Sequence, residues 1–423
     1  MAYTDFIAAI DLGTSHMVGM VGTKNATGAL SIIAYEVENS GTCIRRGCVY
    51  NVKETASKIR RLILKLENKL GGAKIGQVYV GLGGQSLRSI EHTVCKVLGT
   101  EGVVTEEIID SLYQECKDYR PDMLTVLDVV SPSYFLDDKP ESNPVGVPCS
   151  RIEARYKLIV GRPSLKLNII NSISEQAKIE IAGILVSPLA LGDVVLSDNE
   201  KDLGCALIGF GAGVTTITVY KGGKLASLSV VPFGGNLITK DITNLRVVES
   251  EAERLKITYG SAKADRDNDM TIQVSLADGM GLREIKLAEL NGVIEARMDE
   301  ILENVYARLE ATGLMSVLGA GIVITGGGAA LKNLPAVMSE RLKMEVRYSA
   351  VRKGIVASGD LVVASNPEYA VAVGLLAKGT KNCALYIPPK PEPKIEPVVE
   401  PEPTVEPTPE PVKEKPKKEK KKG

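Results

Sequence analysis

Two glycine-rich turns, one in each half of the chain, constrain its fold more than any other feature. The first lies in residues 10–15 and the second in residues 208–216. Each follows an apolar, strand-like run and precedes another, so each predicts a β-hairpin. Glycine lets the backbone approach a phosphate and present N–H groups to it. One such turn is a weak signal, but two predict a pair of lobes that hold a phosphate between them.

Side chains around the first turn suit phosphate and metal chemistry. Asp11 ends the first strand, where its carboxylate can hold Mg²⁺ directly or through water. Thr14 and Ser15 add hydroxyl donors beside Gly13. An ordinary Asp-x-Gly turn has the same composition, and for this turn alone that alternative stays open.

The second turn repeats this chemistry, and a third glycine motif extends it. The candidate ligands of the second turn are Gly211, Ala212, Gly213 and Thr215. An apolar strand at 321–325 then runs into three glycines at 326–328, which suits close packing of a flat base or a ribose against the backbone. A plain strand-to-helix turn is the alternative for this third motif, but the three motifs in this order favour a nucleotide site.

Length and composition indicate an ordinary folded protein. A chain of 423 residues is long enough for two or more domains with hydrophobic cores. The net charge is −1, with 4 phenylalanines and no tryptophan, so we expect no nucleic-acid partner. The 7 cysteines are scattered without metal-site spacing, which favours reduced thiols. The N-terminus lacks a signal-peptide pattern, and no apolar run is long enough to span a membrane.

The periodicity of apolar residues predicts a mixed α/β fold built twice. The first half contains three strands within 6–37, a helix at 53–70 and a strand at 77–83. In the second half, a strand at 202–210 enters the second turn, and a long helix covers 287–311. The two halves together predict a duplicated fold.

Residues 85–161 have a different pattern and predict a small insertion. A helix at 106–119, capped by Thr105, precedes strands at 124–130 and 152–160, with proline-rich loops at 132–148.

Two further segments carry weaker local signals. Residues 168–174 are predicted to be a strand. A closing helix at 366–378 is predicted to begin at Asn366 as N-cap and to end beside Gly379.

The composition changes at residue 388, after which proline, glutamate and lysine dominate. Such a segment cannot bury enough apolar surface to offset its ordering entropy, so 388–423 is predicted to be a disordered linker. Its last stretch is mostly lysine, which is either a solvated tail or a weak hold on an anionic surface.

The three glycine motifs resemble the phosphate-1, phosphate-2 and adenosine motifs of the actin-like ATPase superfamily. Within it, the chain most resembles the FtsA family of bacterial division proteins over roughly residues 4–387. Phe233-Gly234-Gly235 after the second hairpin, the helix that ends at Tyr259-Gly260, and the Asn366-Pro367-Glu368-Tyr369 segment support this. The fold class implied is α/β: an actin-like (ribonuclease H-like), duplicated two-lobe fold with an inserted 1C-type α+β subdomain and a disordered tail.

The resemblance also implies a division into subdomains. These are 1A (1–84, 162–189 and 366–387), 1C (85–161), 2A (190–235 and 293–365) and 2B (236–292), followed by the tail at 388–423.

ATP and Mg²⁺ are the cofactors that the resemblance implies, bound between 1A and 2A. Asp11 would hold the metal and the two turns the phosphates, with Glu253 and Lys256 near the ribose and base. Gly326, Gly327 and Gly328 would lie against the adenosine.

Such a protein would polymerise and link FtsZ filaments to the cytoplasmic face of the inner membrane at the division site. Subdomain 2B would bind the C-terminal peptide of FtsZ, and 1C would contact neighbouring subunits and later division proteins. Two rival readings are an FtsA-like scaffold of another assembly, such as the PilM component of pilus machinery, and a sugar kinase. The kinase is disfavoured because its substrate motif is missing.

The chain departs from the family pattern at several positions. Gly209 stands where the second phosphate motif usually has an aspartate, and Thr216 replaces a later acid. We therefore expect ATP binding with weak or absent hydrolysis, unless another acid substitutes in space. His16 stands where family members often carry a lysine. The amphipathic membrane helix that usually follows the linker is not in the sequence. Either the protein attaches to the membrane differently or the chain stops just before this helix, and we expect the second. The hydrolysis rate, the filament geometry and the partner residues on 2B and 1C stay open.

Overall fold

The computed structural model describes residues 5–99, 102–275, 281–358 and 366–385. The predicted disordered linker at 388–423 lies outside the described residues. The described strands are β1 Ile7–Leu12, β2 His16–Lys24, β3 Leu30–Asn39, β4 Ile44–Arg45, β5 Cys48–Val49, β6 Gln77–Leu82, β7 Arg88–Val97, β8 Thr125–Leu136, β9 Lys139–Glu141, β10 Arg151–Gly161, β11 Glu180–Val186, β12 Cys205–Phe210, β13 Thr215–Lys221, β14 Lys224–Val231, β15 Thr271–Ser275, β16 Leu282–Lys286, β17 Ile322–Thr325, β18 Val346–Tyr348 and β19 Val356–Ser358.

The described helices are α1 Val52–Lys69, α2 Glu106–Asp118, α3 Ser164–Ile170, α4 Ser187–Val195, α5 Asp198–Leu203, α6 Gly235–Ile242, α7 Glu249–Tyr259, α8 Leu287–Glu310, α9 Leu334–Leu342 and α10 Ala370–Lys378. Helix α3 continues into a π-helical turn at Asn171–Ala177. None of the helices within the described ranges is long and apolar enough to cross a bilayer.

Two sheets with the same strand order form two lobes. The first sheet has the order β11-β6-β1-β2-β3-β19, and the second has the order β18-β17-β12-β13-β14. In each, an antiparallel hairpin (β1–β2 or β12–β13) lies beside a parallel neighbour, β6 or β17. The predicted duplication is therefore confirmed at the level of strand order.

Helix α1 shows how the apolar pattern builds the first lobe. The side chain of Asn51 accepts a hydrogen bond from the Glu54 N–H at 3.1 Å and so caps the helix. The apolar side chains on one face of the predicted helix are buried against the first sheet: Ala56, Ile59, Leu62, Ile63 and Leu66. A Cβ on Gly19 of β2 would lie only 2.8 Å from Leu66 and 3.1 Å from Leu62, so this glycine permits the close approach of helix and sheet.

The insertion forms its own sheet, with the order β7-β10-β8-β9, and α2 packs on it around a separate hydrophobic cluster. The side chain of Thr105 caps α2 by accepting from the Ile108 N–H, as expected. The predicted loop at 132–148 is partly wrong, because β8 continues to Leu136 and turns into β9.

The predicted subdomain limits stay predictions. Strand β19, within the predicted 2A, pairs with β3 of the first sheet.

Three local predictions differ from the structure. Residues 168–174 are helical rather than extended, because α3 and the π-helical turn bury Leu165, Ile169 and Ile173 at i, i+4 spacing. Residues 198–203 form α5, begun by a capping box between Ser197 and Glu200, so the strand expected from 202 starts at 205. The closing helix starts at Ala370, because the Asn366 side chain caps a separate turn before it.

Helices α4 and α10 carry the chain between the two lobes and pack directly on each other. A Cβ on Gly374 of α10 would overlap the carbonyl oxygen of Ala190 in α4. That atom belongs to the backbone and cannot rotate away. The axes can approach this closely only because residue 374 has no side chain.

We expect Gly374→Ala to lower the free energy of unfolding by about 1–3 kcal/mol through overpacking at this contact. The matched control is Gly292→Ala in α8, where a Cβ would meet no atom within 4 Å. That variant should be as stable as the wild type or more stable by up to about 1 kcal/mol, because alanine favours helix. Urea unfolding of both measures this, and equal stability of the two variants would contradict the close contact.

Candidate functional site

A cavity of about 370 Å³ lies between the two glycine turns, in the size range of small-ligand sites. It brings together all but one of the predicted site residues, from both halves of the chain. Those that line it are Asp11, Gly13, Thr14, Ser15, Gly211, Ala212, Gly213, Glu253, Lys256, Gly326, Gly327 and Gly328.

Thr215 is the exception among the predicted residues. Its side chain is buried, and its hydroxyl donates to the Phe233 carbonyl at 2.9 Å. The structure therefore gives Thr215 a role inside the second lobe, and its neighbour Thr216 lines the cavity instead. Alternation along a strand explains this, because adjacent residues face opposite sides of the sheet.

The two glycine turns touch each other across the cleft. A Cβ on Gly213 would lie 2.5 Å from Thr14 Oγ1 and 2.9 Å from Arg46 Cα. The N–H of Gly47 donates to Thr14 Oγ1 at 2.9 Å, so the tip of the short β4–β5 hairpin also meets the first turn. Because Thr14 already accepts this bond, its own proton is available to an acceptor in the cavity.

Asp11 carries the one carboxylate of the first turn. Burial raises its pKa to about 6, and a bond from the Leu12 backbone opposes this shift only in part. A buried carboxylate without a cation is costly, whereas a metal ion would favour its charged form. The environment of Asp11 therefore fits a cation ligand.

The second turn has no carboxylate, and its polar lining consists of hydroxyls. Gly209 pairs with Thr216 across the β12–β13 hairpin, and a Cβ on Gly209 would lie 2.6 Å from Thr216 Oγ1. The Oγ1 of Thr325 is buried at the cavity wall without a hydrogen-bond partner. A native structure rarely leaves such a group unpaired, so the site fits a polar ligand beside it.

Helix α7 supplies two charged side chains to the cavity, and α6 supplies their polar partners. Lys256 Nζ donates to Glu253 at 2.7 Å, to Thr239 at 2.8 Å and to the Gly235 carbonyl at 3.1 Å. The Thr239 hydroxyl in turn bonds Glu253. Lys256 is therefore held in place with its charge compensated, while the partly exposed Glu253 retains acceptor capacity.

The third glycine motif packs on the second hairpin. Gly326 has a φ of +85°, and a Cβ on it would lie 2.5 Å from the Phe210 carbonyl oxygen. Gly328 approaches the same residue. This close contact leaves the backbone of the motif facing the cavity, as a flat ligand requires.

Several lining residues were not predicted from sequence. Glu368 lies on the turn before α10, where its carboxylate would be 2.9 Å from a Cβ on Gly327. Gly47, Gly83 and Gly84 also line the wall. The paired glycines directly after a buried strand were a usable signal, whereas nothing local marks Glu368. His16 lines the cavity with its Nδ1 2.9 Å from Ser15 Oγ.

Known proteins match this chain over almost the whole described body. A family model described as "Cell division protein FtsA" matches residues 206–374. The cell division protein FtsA of Porphyromonas gingivalis is 39% identical over 382 residues, which cover 90% of this chain and 79% of that protein. The chain belongs to the FtsA family. The FtsA of Bacillus subtilis is 32% identical over 392 residues, covering 91% of this chain and 86% of that one.

Among solved structures, a chain of the PilM–PilN type IV pilus biogenesis complex superposes with a TM-score of 0.61. It covers 88% of this chain and 97% of its own, at 16% identity, so the likeness concerns the fold alone. The actin-like fold that the resemblance implied is thereby confirmed. FtsA-family membership makes this an actin-like cell division protein, and an actin-like ATPase fold implies nucleotide binding.

Asp11 should give the ligand-free protein a distinctive pH dependence. Its folded pKa of about 6 lies above that of the unfolded chain, about 4. The stability that Asp11 contributes is therefore full below about pH 4 and is lost as the pH rises to about 6. Asparagine does not titrate. The free energy of unfolding of Asp11→Asn minus that of the wild type should therefore rise across this interval and stay constant above it.

Urea unfolding without nucleotide or Mg²⁺, from pH 4 to 8, measures this difference. Asp5→Asn, which removes an exposed carboxylate of the same lobe, is the control. A constant difference between Asp11→Asn and the wild type would contradict the raised pKa.

Proposed function

We propose that this FtsA-family protein binds ATP–Mg²⁺ in the cavity between its glycine turns and uses the bound state to assemble. The observation that supports this most is the direct approach of Gly213 to Thr14, which brings the two phosphate turns together from separate lobes. The assignment of individual ligands is part of the proposal.

The residues that line the cavity fit both ATP and Mg²⁺. Asp11 would hold Mg²⁺, which neutralises phosphate charge when bound. The turns at 11–16 and 209–216 would bind the phosphates through backbone N–H groups and the hydroxyls of Thr14 and Ser15. Thr325, whose Oγ1 lacks a partner, would bond the ligand or its water. Glu253 and Lys256 would lie near the ribose and base, and the glycines at 326–328 against the adenosine.

We further propose that hydrolysis is weak or absent. The carboxylates among the described lining residues are Asp11, Glu253 and Glu368. Glu253 is bonded to Lys256, and Glu368 lies beside Gly327 at the third motif, so neither accompanies the second phosphate turn. Gly209 and Thr216 cannot orient an attacking water as a carboxylate does. Binding, which needs backbone N–H groups, is unaffected by this loss.

Isothermal titration calorimetry with ATP and Mg²⁺ should show saturable binding, with phosphate release far slower than ligand exchange. Gly213→Ala should weaken binding by about tenfold or more, since its Cβ would push Thr14 and Arg46 away by an overpacking cost of about 1–3 kcal/mol. Gly292→Ala in α8, which is not among the lining residues and whose Cβ would meet no protein atom within 4 Å, is the matched control. Absence of binding would refute the proposal, and rapid turnover abolished by Asp11→Ala would refute weak hydrolysis.

The assembly role proposed is that of a filament that ties FtsZ to the inner membrane from its cytoplasmic face at the division site. Family membership supports it. The FtsZ peptide would bind to subdomain 2B (236–292), where Leu282 at the start of β16 and Met270 just before β15 are exposed. Later division proteins would bind to 1C (85–161). Membrane attachment would be peripheral, through residues after the described body.

Pull-down with the C-terminal peptide of FtsZ should capture this chain. Leu282→Asp should reduce capture about tenfold, because placing a charge on an apolar anchor of an interface typically weakens binding by about 1–3 kcal/mol. Leu203→Asp, on another exposed leucine, at the end of α5, is the control. Capture by a PilN peptide in place of the FtsZ peptide would instead favour a pilus-type scaffold.

A further inference from the structure

The inserted sheet and the second lobe meet along the edges of two sheets. Strand β7 is the outer strand of the inserted sheet, and β14 is the outer strand of the second sheet. Ser89 of β7 bridges them: its Oγ accepts from the Leu228 N–H at 2.8 Å and lies 3.4 Å from the Leu228 carbonyl oxygen, to which it donates. The Ser89 hydroxyl thus hydrogen-bonds both the N–H and the carbonyl of Leu228, which face outward at the edge of the second sheet.

A second bond closes the same boundary farther along. Lys224, at the start of β14, donates from Nζ to the Pro132 carbonyl at 2.6 Å, and Ser133 Oγ lies 3.4 Å away. Pro132 lies in β8 of the inserted sheet. We call these two contacts, Ser89–Leu228 and Lys224–Pro132, the interlobe seam.

The second-lobe side of the seam leads to the second glycine turn. Strand β14 ends at Val231, and the residues after it pack behind that turn. The Phe233 carbonyl accepts from Thr215, and the Gly235 N–H donates to the Gly211 carbonyl at 2.9 Å. A movement of β14 therefore acts on the backbone that faces the phosphates.

The chain segment that connects the first lobe to the insertion lies beside the first glycine turn. The chain leaves β6 and enters the insertion through Gly83 and Gly84, both of which line the cavity. A Cβ on Gly47 would lie 3.0 Å from the backbone of Gly84, and Gly47 donates to Thr14. Gln85 N–H also donates to the Arg46 carbonyl at 3.1 Å. The insertion is thus tied to both phosphate turns by separate routes.

We propose that the interlobe seam couples the orientation of the inserted sheet to closure of the cleft around nucleotide. The insertion belongs to the first lobe by its chain connections but is bonded to the second lobe by the seam. Any rotation of one lobe against the other must either turn the insertion or break the seam. A ligand that holds the two turns together therefore also fixes the surface that the insertion presents to other proteins. This coupling rests on the proposed nucleotide binding.

Reciprocity makes the coupling measurable from both sides. If the seam favours the closed arrangement, nucleotide strengthens the seam by the same factor by which the seam strengthens nucleotide binding. The seam is intact in this structure, where the turns already touch, so cutting it should weaken ATP binding. It should do so without changing any residue that lines the cavity.

The experiment uses the full chain and three variants. Ser89→Ala removes both bonds to Leu228, and Ser89→Ala with Lys224→Met removes the whole seam while keeping an apolar stem at 224. Ser229→Ala, on the same strand, is the matched control, because the Ser229 side chain makes no hydrogen bond to the described residues of the insertion. Amide hydrogen exchange is followed with and without ATP–Mg²⁺, and ATP affinity is measured by calorimetry.

Without nucleotide, the Leu228 amide should exchange about five- to tenfold faster in Ser89→Ala than in the wild type, as expected for one lost hydrogen bond. Adding ATP–Mg²⁺ to the wild type should slow exchange at the glycine turns and also in β7 and β14. In the double variant, the turns should still be protected by saturating ATP while β7 is not, and the ATP dissociation constant should rise about threefold or more.

Equal ATP-dependent protection of β7 in the wild type and the double variant would overturn the coupling. So would protection confined to the turns in the wild type, with unchanged affinity in the double variant. If the wild type itself does not bind ATP, the proposed function is refuted, and the coupling with it. A double variant with reduced far-ultraviolet circular dichroism would be replaced by Ser89→Ala alone, for which the same outcomes decide.

Discussion

The close approach of two backbone turns from different lobes is the constraint on which the rest of this structure depends. Gly213 stands against Thr14 and Arg46 with no room for a methyl group. Because residue 213 has no side chain, the second turn can approach the Thr14 side chain and the Arg46 backbone this closely, and backbone N–H groups can face one cavity from two sides. Everything behind the turns, from the paired sheets to α4 and α10, keeps these two pieces of backbone in register. The tight contact at Gly374 packs α10 directly on α4, and both helices also contribute residues to the cavity wall.

The polar groups of the cavity are arranged so that a ligand completes them. Asp11 is buried with its pKa raised to about 6, and the Thr325 hydroxyl has no partner in the wall. Both conditions are unfavourable in a protein alone and favourable with a cation and an anion bound together. Lys256, by contrast, already has its charge compensated by Glu253. The first turn thus contributes a carboxylate to the cavity wall, while the second contributes backbone groups and hydroxyls; the proposed ATP–Mg²⁺ binding with weak hydrolysis rests on this difference.

Much of the fold could be predicted because its signals are local. The glycine turns between apolar strands, the helix whose apolar face covers 56–66, and the Thr105 cap each need only a few neighbouring residues. The predictions that were wrong depended on distant partners. Residues 168–174 are apolar enough for a strand, but packing of the π-helical turn on α1 makes them helical. The closing helix starts late because Asn366 bonds the Glu368 N–H and closes a separate turn.

The sequence by itself determined the duplicated α/β plan, the three glycine motifs and the family, because these rest on residue types at short spacing. Only the tertiary structure decided which threonine faces the cavity, since strand alternation turns Thr215 inward and Thr216 outward. It also placed Glu368, Gly47 and Gly83 at the wall and joined Ser89 to Leu228 across the lobes. These contacts join residues far apart in the chain, and no local pattern encodes which distant backbone a side chain will meet.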